Sequence, residues 1–228
     1  MNTELRKRIN TSIILFMAAI FCILIHKNVF IIVLFLVLFK CFDEWIKINS
    51  KYFNANNKRK IKWKFFLIQL FGLTYLSFAL ISAFFLRGNN FESGIFFTII
   101  LCICVCSDTG GYISGKAIGG KKLIKISPNK TISGSIGSFI FSLFPIFLFN
   151  FQNYIDVDFN LSLKNILFSL IISLTCQLGD LIISYFKRLN KVKNTGTILP
   201  GHGGLLDRID GIIFAIPIVY ILKSTQVF

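Results

Sequence analysis

Seven apolar stretches dominate this sequence, and they constrain its fold more than any other feature. They cover residues 11–25, 28–42, 65–86, 94–115, 134–151, 164–186 and 207–222. Several approach the ~20 residues that an α-helix needs to cross the hydrocarbon of a bilayer. Only 15% of the residues are charged, whereas soluble domains are nearer to a quarter. The sequence therefore predicts an all-α, polytopic integral membrane bundle with about seven transmembrane helices.

The connections between these stretches are short and do not divide the chain. No long flexible linker and no change of composition separates one part from another, so residues 1–228 are predicted to form a single membrane domain. The first two stretches are separated only by His26 and Lys27. They are expected to form either a tight hairpin or one broken unit.

The basic residues indicate the orientation of the chain in the membrane. Lys and Arg concentrate at the amino terminus and in segments 47–64, 116–130 and 187–208. Because cytoplasmic loops carry the excess of Lys and Arg, the amino terminus is predicted inside and the carboxyl terminus outside. This topology, together with anionic lipid, accounts for the net charge of +15. No nucleic-acid partner is expected, since no soluble domain is long enough to bind one.

Four aspartates lie inside the apolar stretches or at their ends, where a charged group costs ~2.5–3.5 kcal/mol. They are Asp108, Asp180, Asp207 and Asp210. Asp207 and Asp210 share a helix face, and Asp180 lies on another helix, so together they offer oxygen ligands to a hard cation such as Mg²⁺. The alternative is a pair of buried ion pairs. These would join Asp207 to Lys187 and Asp210 to Arg188, and the residues alone leave both interpretations open.

A polar stripe runs along the sixth apolar stretch. Gln177, Asp180, Ser184 and Lys187 recur at helical spacing on one face of an otherwise apolar segment. Asp180 is ~10 Å along the helix from Lys187, which places it near the depth of the lipid headgroups.

The segment "GKAIGGKKLIKISPNKTISGSIG" (115–137) combines lysines with hydroxyl groups and glycines. Thr131 or Ser133 can cap the helix that follows, and the amino end of a helix attracts anions. The segment therefore suits phosphate. A soluble phosphorylated substrate and a phospholipid headgroup could meet at this face of the bundle.

The segment "SYFKRLNKVKNTGTILPGHGGLLDRIDG" (184–211) closely resembles the signature of the phosphatidate cytidylyltransferases, also called CDP-diacylglycerol synthases. The matching positions are Ser184, Lys187, Arg188, Lys193, Pro200, Gly201, His202, Gly203, Gly204, Asp207, Arg208 and Asp210. Asn194 departs from the pattern, where an acidic residue is usual. The resemblance is strong over the catalytic part, 91–228, and loose over 1–90, where "DEW" (43–45) is similar to an early Glu-Trp pair.

The resemblance implies transfer of a cytidylyl group from CTP to phosphatidate, giving CDP-diacylglycerol and pyrophosphate in phospholipid biosynthesis. It implies a bacterial-type inner membrane, an active site that faces the cytoplasm, and a homodimer as a candidate assembly. The attacking lipid phosphate is already ionised, so positioning and charge neutralisation matter more than a strong base.

The resemblance also assigns roles to individual residues. Asp180, Asp207 and Asp210 would hold Mg²⁺, with a second metal or a monovalent cation as a further expectation. Asp108 is either another metal ligand or a helix-packing group. Lys187 and Arg208 would grip phosphate oxygens and act in catalysis together with Asp180 and Asp207.

The remaining positions are expected to bind substrate. Ser127, Lys130 and Thr131 would cradle the triphosphate, and Arg188 would face the lipid headgroup. Gly201, Gly203 and Gly204 would let the backbone approach the nucleotide. His202 would donate to a phosphate or cap the last helix, and Ser184 and Lys193 complete the set.

Two alternatives remain open at this point. One is a related membrane cytidylyltransferase or kinase acting on another lipid or polyprenyl phosphate. The other is a small ion or phosphate transporter, which would place its site near the bilayer midplane between repeated halves. Here the charged groups cluster toward one face and no repeat is visible.

Overall fold

A computed structural model describes residues 3–54, 59–124, 127–150, 161–192, 194–196, 198 and 203–226. Within these residues the chain forms eight helices and one hairpin. The helices are α1 (Thr3–Ile25), α2 (Lys27–Asn54), α3 (Arg59–Arg87), α4 (Phe91–Ile118), α5 (Ile132–Ser142), α6 (Phe144–Asn150), α7 (Leu163–Leu189) and α8 (Leu206–Ser224). The hairpin consists of β1 (Lys122–Ile124) and β2 (Ser127–Thr131). The predicted all-α class is confirmed.

Within the part of the chain that the structure describes, four helical segments are long and apolar enough to cross a membrane. They are Trp63–Arg87, Phe91–Ile118, Ile132–Phe149 and Leu163–Leu189, and Ile13–Ile25 forms a shorter apolar helix. The chain is therefore an integral membrane protein. The number of seven spans stays a prediction.

The first two apolar stretches are separate helices that meet at His26. The His26 carbonyl accepts a hydrogen bond from the Phe30 N–H at 3.1 Å, and its ring Nδ1 accepts one from the Asn28 N–H at 3.2 Å. His26 thus satisfies free N–H groups at the start of α2. At its other end, α2 continues well beyond residue 42, where the apolar stretch ends, and reaches a length of 28 residues.

The fifth apolar stretch is divided into α5 and α6. Leu143 leaves the regular helix, and its N–H donates to the Ile140 carbonyl. Pro145 follows in the first turn of α6, where its missing N–H removes no internal helix bond. Hydropathy alone does not register this break, because Leu143 and Pro145 are both apolar.

The hairpin lies between α4 and α5 and returns the chain to the end of α4. Gly119 and Gly120 have φ values of 65° and 104°, which side chains other than glycine rarely adopt. The strands are antiparallel, with Lys122 opposite Thr131. Thr131 is the N-cap of α5, and its Oγ1 accepts a hydrogen bond from the Gly134 N–H at 3.1 Å. This confirms the predicted cap.

Glycines allow α4 and α5 to lie in close contact. A Cβ atom at Gly110 of α4 would overlap the Phe141 side chain and would lie 2.9 Å from the Gly137 carbonyl. A Cβ atom at Gly137 of α5 would overlap the Ser114 side chain. Small residues permit this approach in membrane bundles. The close contact places the start of α5 beside the second half of α4, where Asp108 lies. The charge pattern predicts that this half of α4 is the cytoplasmic one.

We expect Gly110→Ala to lower the free energy of unfolding by about 1–3 kcal/mol, because the added methyl group has no space between α4 and α5. Gly94→Ala is the matched control on the same helix, since its nearest neighbour would be at 3.7 Å. Thermal unfolding in detergent measures both. An equal effect of the two substitutions would show that helix propensity, rather than packing, governs these positions.

Candidate functional site

A cavity of about 370 Å³ opens between α4, the hairpin, α5, α7 and α8. It is lined by Asp108, Gly111, Tyr112, Leu123, Ser127, Lys130, Thr131, Gly134, Ser135, Ser138, Gln177, Asp180, Asp207 and Asp210. The structure therefore brings all four predicted aspartates to one cavity. It also brings there the three residues of the predicted phosphate loop, Ser127, Lys130 and Thr131.

Asp180 connects α7 to the hairpin. Its Oδ2 forms an ion pair with the Lys130 ammonium group at 2.6 Å, and its Oδ1 accepts a hydrogen bond from the Ser184 hydroxyl at 3.3 Å. The Asp180 side chain is 34% exposed. Lys130 also donates to the Gln177 carbonyl at 3.4 Å, so the end of the hairpin is held against one face of α7.

Asp207 connects α8 to α7 and to the segment before α8. Lys187 donates to its Oδ1 at 2.8 Å, and the N–H groups of Thr195 and Gly204 donate to its Oδ2 at 2.7 and 3.0 Å. The side chains of Lys187 and Asp207 are only 13% and 9% exposed. The ion pair that the sequence offered as an alternative is therefore present at this position.

Asp210 has a different environment. It is 7% exposed, and its Oδ1 accepts a hydrogen bond from the Gly211 N–H at 3.0 Å. The ion pairs formed by the described residues do not include one between Asp210 and Arg188, so that alternative was wrong. The reason is that Arg188 lies near the end of α7 with an exposed side chain, whereas Asp210 faces the cavity.

The carboxylates of the cavity are oxygen donors, the type of ligand that a hard cation such as Mg²⁺ takes. Among the described residues, no group of three or more His, Cys, Asp or Glu side chains is close enough to hold a metal. Mg²⁺ usually takes one or two carboxylates and completes its coordination with water and substrate phosphate. The four aspartates that line the cavity supply carboxylate oxygens of this kind, and binding of Mg²⁺ by them stays a prediction.

At two of the predicted glycines, close contacts within the chain leave no space for a larger residue. Gly203 has a φ of 89°, and a Cβ atom there would lie 2.8 Å from the Asp207 carboxylate. A Cβ atom at Gly204 would overlap Thr195 and Glu44. Their role in the approach of a nucleotide stays a prediction. Lys193, Pro200, Gly201 and His202 lie outside the described residues.

The other predicted positions lie on the surface. Arg208 on α8 and Arg188 on α7 have exposed side chains, and Asn194 is exposed beside Gly203. None of the three lines the cavity, and their roles toward phosphate remain predictions.

The sequence did not assign a role to Glu44 or Thr195, although both belong to the surroundings of Asp207. Glu44 is 1% exposed and accepts hydrogen bonds from the Thr195 hydroxyl and from the Leu205 and Leu206 N–H groups. The signals in the sequence were an acidic residue next to Trp45 just after an apolar stretch and the similarity of "DEW" (43–45) to an early Glu-Trp pair of the family. These signals do not reveal its distant partners.

A comparison with protein families matches residues 51–225 to the cytidylyltransferase family. The chain belongs to the cytidylyltransferase family. All four cavity aspartates and the hairpin lie within the matched residues, whereas Glu44 precedes them.

Curated relatives of this family member are phosphatidate cytidylyltransferases. The protein from Staphylococcus haemolyticus is 50% identical over 119 residues, which are 51% of this chain and 44% of that protein. The protein from Staphylococcus aureus has the same identity and coverage. The protein from Bacillus subtilis is 36% identical over 144 residues, 62% of this chain and 52% of that protein. The chain thus spans about half the length of the curated relatives that it matches.

We expect Lys187→Met to lower the free energy of unfolding by about 3 kcal/mol, because it leaves the Asp207 carboxylate without its cation in a largely buried position. Arg188→Met, at the adjacent exposed position, is the control and should change stability by less than about 0.5 kcal/mol. Chemical or thermal unfolding in detergent distinguishes them. If both variants were as stable as the wild type, the ion pair would contribute nothing to the fold.

Proposed function

We propose that this member of the cytidylyltransferase family transfers a cytidylyl group from CTP to phosphatidate, producing CDP-diacylglycerol and pyrophosphate. The observation that carries the proposal is the single cavity in which four aspartates face a lysine and hydroxyl loop. The names of the curated relatives support the same reaction.

The triphosphate of CTP is assigned to the hairpin side of the cavity. Lys130 supplies positive charge, Ser127 and Thr131 supply hydroxyl groups, and the amino end of α5 begins immediately after Thr131. Free N–H groups at a helix start favour a bound anion. These groups would hold the nucleotide phosphates without any contact to the lipid.

The phosphatidate headgroup is assigned to the end of α7. Arg188 is exposed there, next to Lys187, and Arg208 is exposed on the first turns of α8. These side chains would neutralise a lipid phosphate and orient its oxygen toward the α-phosphorus of CTP. Because the attacking oxygen is already ionised, the step needs alignment and charge compensation rather than a strong base.

Asp180, Asp207 and Asp210, with Asp108 as a further ligand, would hold Mg²⁺. When bound, the ion supplies neutralisation of phosphate charge and Lewis-acid activation of the nucleotide. The protein itself would supply the carboxylate oxygens at the cavity wall. Lys130 and Lys187 would compensate the negative charge of these carboxylates.

The orientation in the membrane follows from the basic segments and is part of the same proposal. The cavity would open to the cytoplasm from a bacterial-type inner membrane, because the hairpin and the end of α7 belong to two of the basic segments. A homodimer is the assembly that we propose to test first, by size and mass measurements in detergent.

The proposal is tested by incubating the purified protein with labelled CTP, phosphatidate and Mg²⁺, followed by lipid extraction. Label in the lipid phase that depends on phosphatidate and comigrates with CDP-diacylglycerol is the expected result. Parallel reactions replace phosphatidate with a polyprenyl phosphate, or CTP with labelled ATP. Label transferred only in those reactions would identify a different lipid substrate or a kinase.

Asp180→Asn and Asp207→Asn should each lower the rate at least ~100-fold, the usual scale for removal of a main electrostatic stabiliser. Both aspartates line the cavity on different helices, α7 and α8. Rates are measured in the labelled-CTP reaction at limiting Mg²⁺, with unfolding curves to confirm that each variant is folded. Near-normal rates in both would leave only the ion pairs as the role of these aspartates.

The basic residues should divide between the two substrates. Lys130→Ala is expected to raise the KM for CTP more than that for phosphatidate, since Lys130 lines the cavity beside the hydroxyl groups. Arg188→Ala is expected to do the reverse, since Arg188 is exposed at the end of α7. Saturation curves for each substrate provide the measurement, and equal effects on both would contradict this division of the site.

A further inference from the structure

Glu44 is a buried carboxylate at a distance from the cavity wall. It lies on α2, it is 1% exposed, and it does not line the cavity. Its Oε2 accepts hydrogen bonds from the Thr195 hydroxyl at 2.7 Å and from the Leu206 N–H at 2.9 Å. Its Oε1 accepts one from the Leu205 N–H at 2.9 Å. One side chain thus binds residues at both ends of segment 195–206, which lies within the stretch that resembles the family signature.

Two of these bonds satisfy the amino end of α8. Leu205 is the N-cap residue, and its own side chain forms no capping hydrogen bond. The first N–H groups of a helix lack partners within the helix, and negative charge at this end is favourable. Glu44 therefore supplies from α2 the cap that the local sequence does not provide.

The third bond leads directly to Asp207. The Thr195 hydroxyl donates to Glu44, while the Thr195 N–H donates to the Asp207 Oδ2. Gly204, which also donates its N–H to that oxygen, directly precedes the two residues held by Glu44. Two of the three groups that orient the Asp207 carboxylate thus belong to the segment that Glu44 holds.

The backbone around Glu44 is shaped to admit it. A Cβ atom at Gly196 would lie 2.8 Å from the Glu44 carboxylate, and one at Gly204 would overlap it. Both positions are glycine in this chain, so the carboxylate fits between the two ends of the segment.

We propose that Glu44 is a positioning residue for the reaction: it binds Thr195 at one end of segment 195–206 and Leu205 and Leu206 at the other, and thereby fixes the orientation of Asp207. The inference rests on the proposed function, since it assigns Asp207 to that reaction. It also extends the site to a residue that precedes residues 51–225, which match the family.

The first experiment is independent of activity and uses the full-length protein in detergent without metal or nucleotide. Hydrogen–deuterium exchange is measured for amides in 195–206 in the wild type and in Glu44→Gln. The glutamine side chain has the same size as Glu44 but no charge. Its NH₂ group is a hydrogen-bond donor and would face groups that are themselves donors. We expect exchange in this segment to become at least ~10-fold faster, the effect of ~1.4 kcal/mol on local opening.

Asp43→Asn is the matched control, because it removes a negative charge at the neighbouring position of α2. Asp43 pairs with Lys40 and Lys47, and the Lys47 hydrogen bond lowers the pKa of this carboxyl. Exchange in 195–206 should not change. Thr195→Val, which removes only the hydroxyl bond to Glu44, should accelerate exchange less than Glu44→Gln and should add little to it in the double variant.

The second experiment separates positioning from a merely structural cap. Loss of a group that orients a metal ligand typically costs roughly 10- to 100-fold. In the labelled-CTP reaction, Glu44→Gln should lower kcat by that factor and raise the Mg²⁺ concentration needed for half-maximal rate. The KM values for CTP and phosphatidate should stay within about threefold, and Glu44→Asp should recover part of the loss.

The outcomes are distinguishable. Unchanged exchange in Glu44→Gln would overturn the role of Glu44 in holding the segment, whatever the activity. Faster exchange with unchanged kcat and Mg²⁺ dependence would overturn its role in positioning Asp207. A wild type that transfers no label to phosphatidate would instead refute the proposed function, while the exchange result would still decide how the segment is held.

Discussion

Two lysine–aspartate ion pairs connect the elements that surround the cavity, and the arrangement of the site depends on them. Lys130 and Asp180 hold the hairpin against α7, and Lys187 and Asp207 hold α7 against α8. A carboxylate in a membrane bundle is costly without a partner. Because removal of one partner leaves an uncompensated charge, these elements cannot shift independently. The same four groups are those that the proposed reaction would use to bind phosphate and metal.

The close contact between α4 and α5 fixes the position of the hairpin that carries Lys130. Gly110 and Gly137 let the two helices approach, and the hairpin between them returns the chain so that Thr131 caps α5 beside the cavity. A bulky residue at either glycine would push the hairpin away from α7 and lengthen the contact between Lys130 and Asp180. Packing of apolar helices and placement of polar groups are therefore coupled in this fold.

The described residues before α8 show how carboxylates from two helices hold a polar site. The N–H groups of Thr195, Gly204 and Leu205 are satisfied by carboxylates from two different helices, Asp207 on α8 and Glu44 on α2. Buried N–H groups require such partners. Because Glu44 binds both Thr195 and the start of α8, it connects a residue that precedes the matched family region to the Asp207 carboxylate at the cavity.

The sequence by itself determined the class of the fold and singled out the four aspartates that line the cavity. Apolar stretches of sufficient length predicted a helical membrane protein, and Asp108, Asp180, Asp207 and Asp210 were identified because charge is rare in such stretches. A cap at Thr131 or Ser133 was also predicted from local sequence, since a cap depends on residues three positions apart, and the structure has it at Thr131. Tertiary structure alone decided which partners these groups have. It formed the pair between Lys187 and Asp207, excluded one between Arg188 and Asp210, and brought Glu44 to Thr195, because contacts between residues far apart in the chain depend on how whole helices pack.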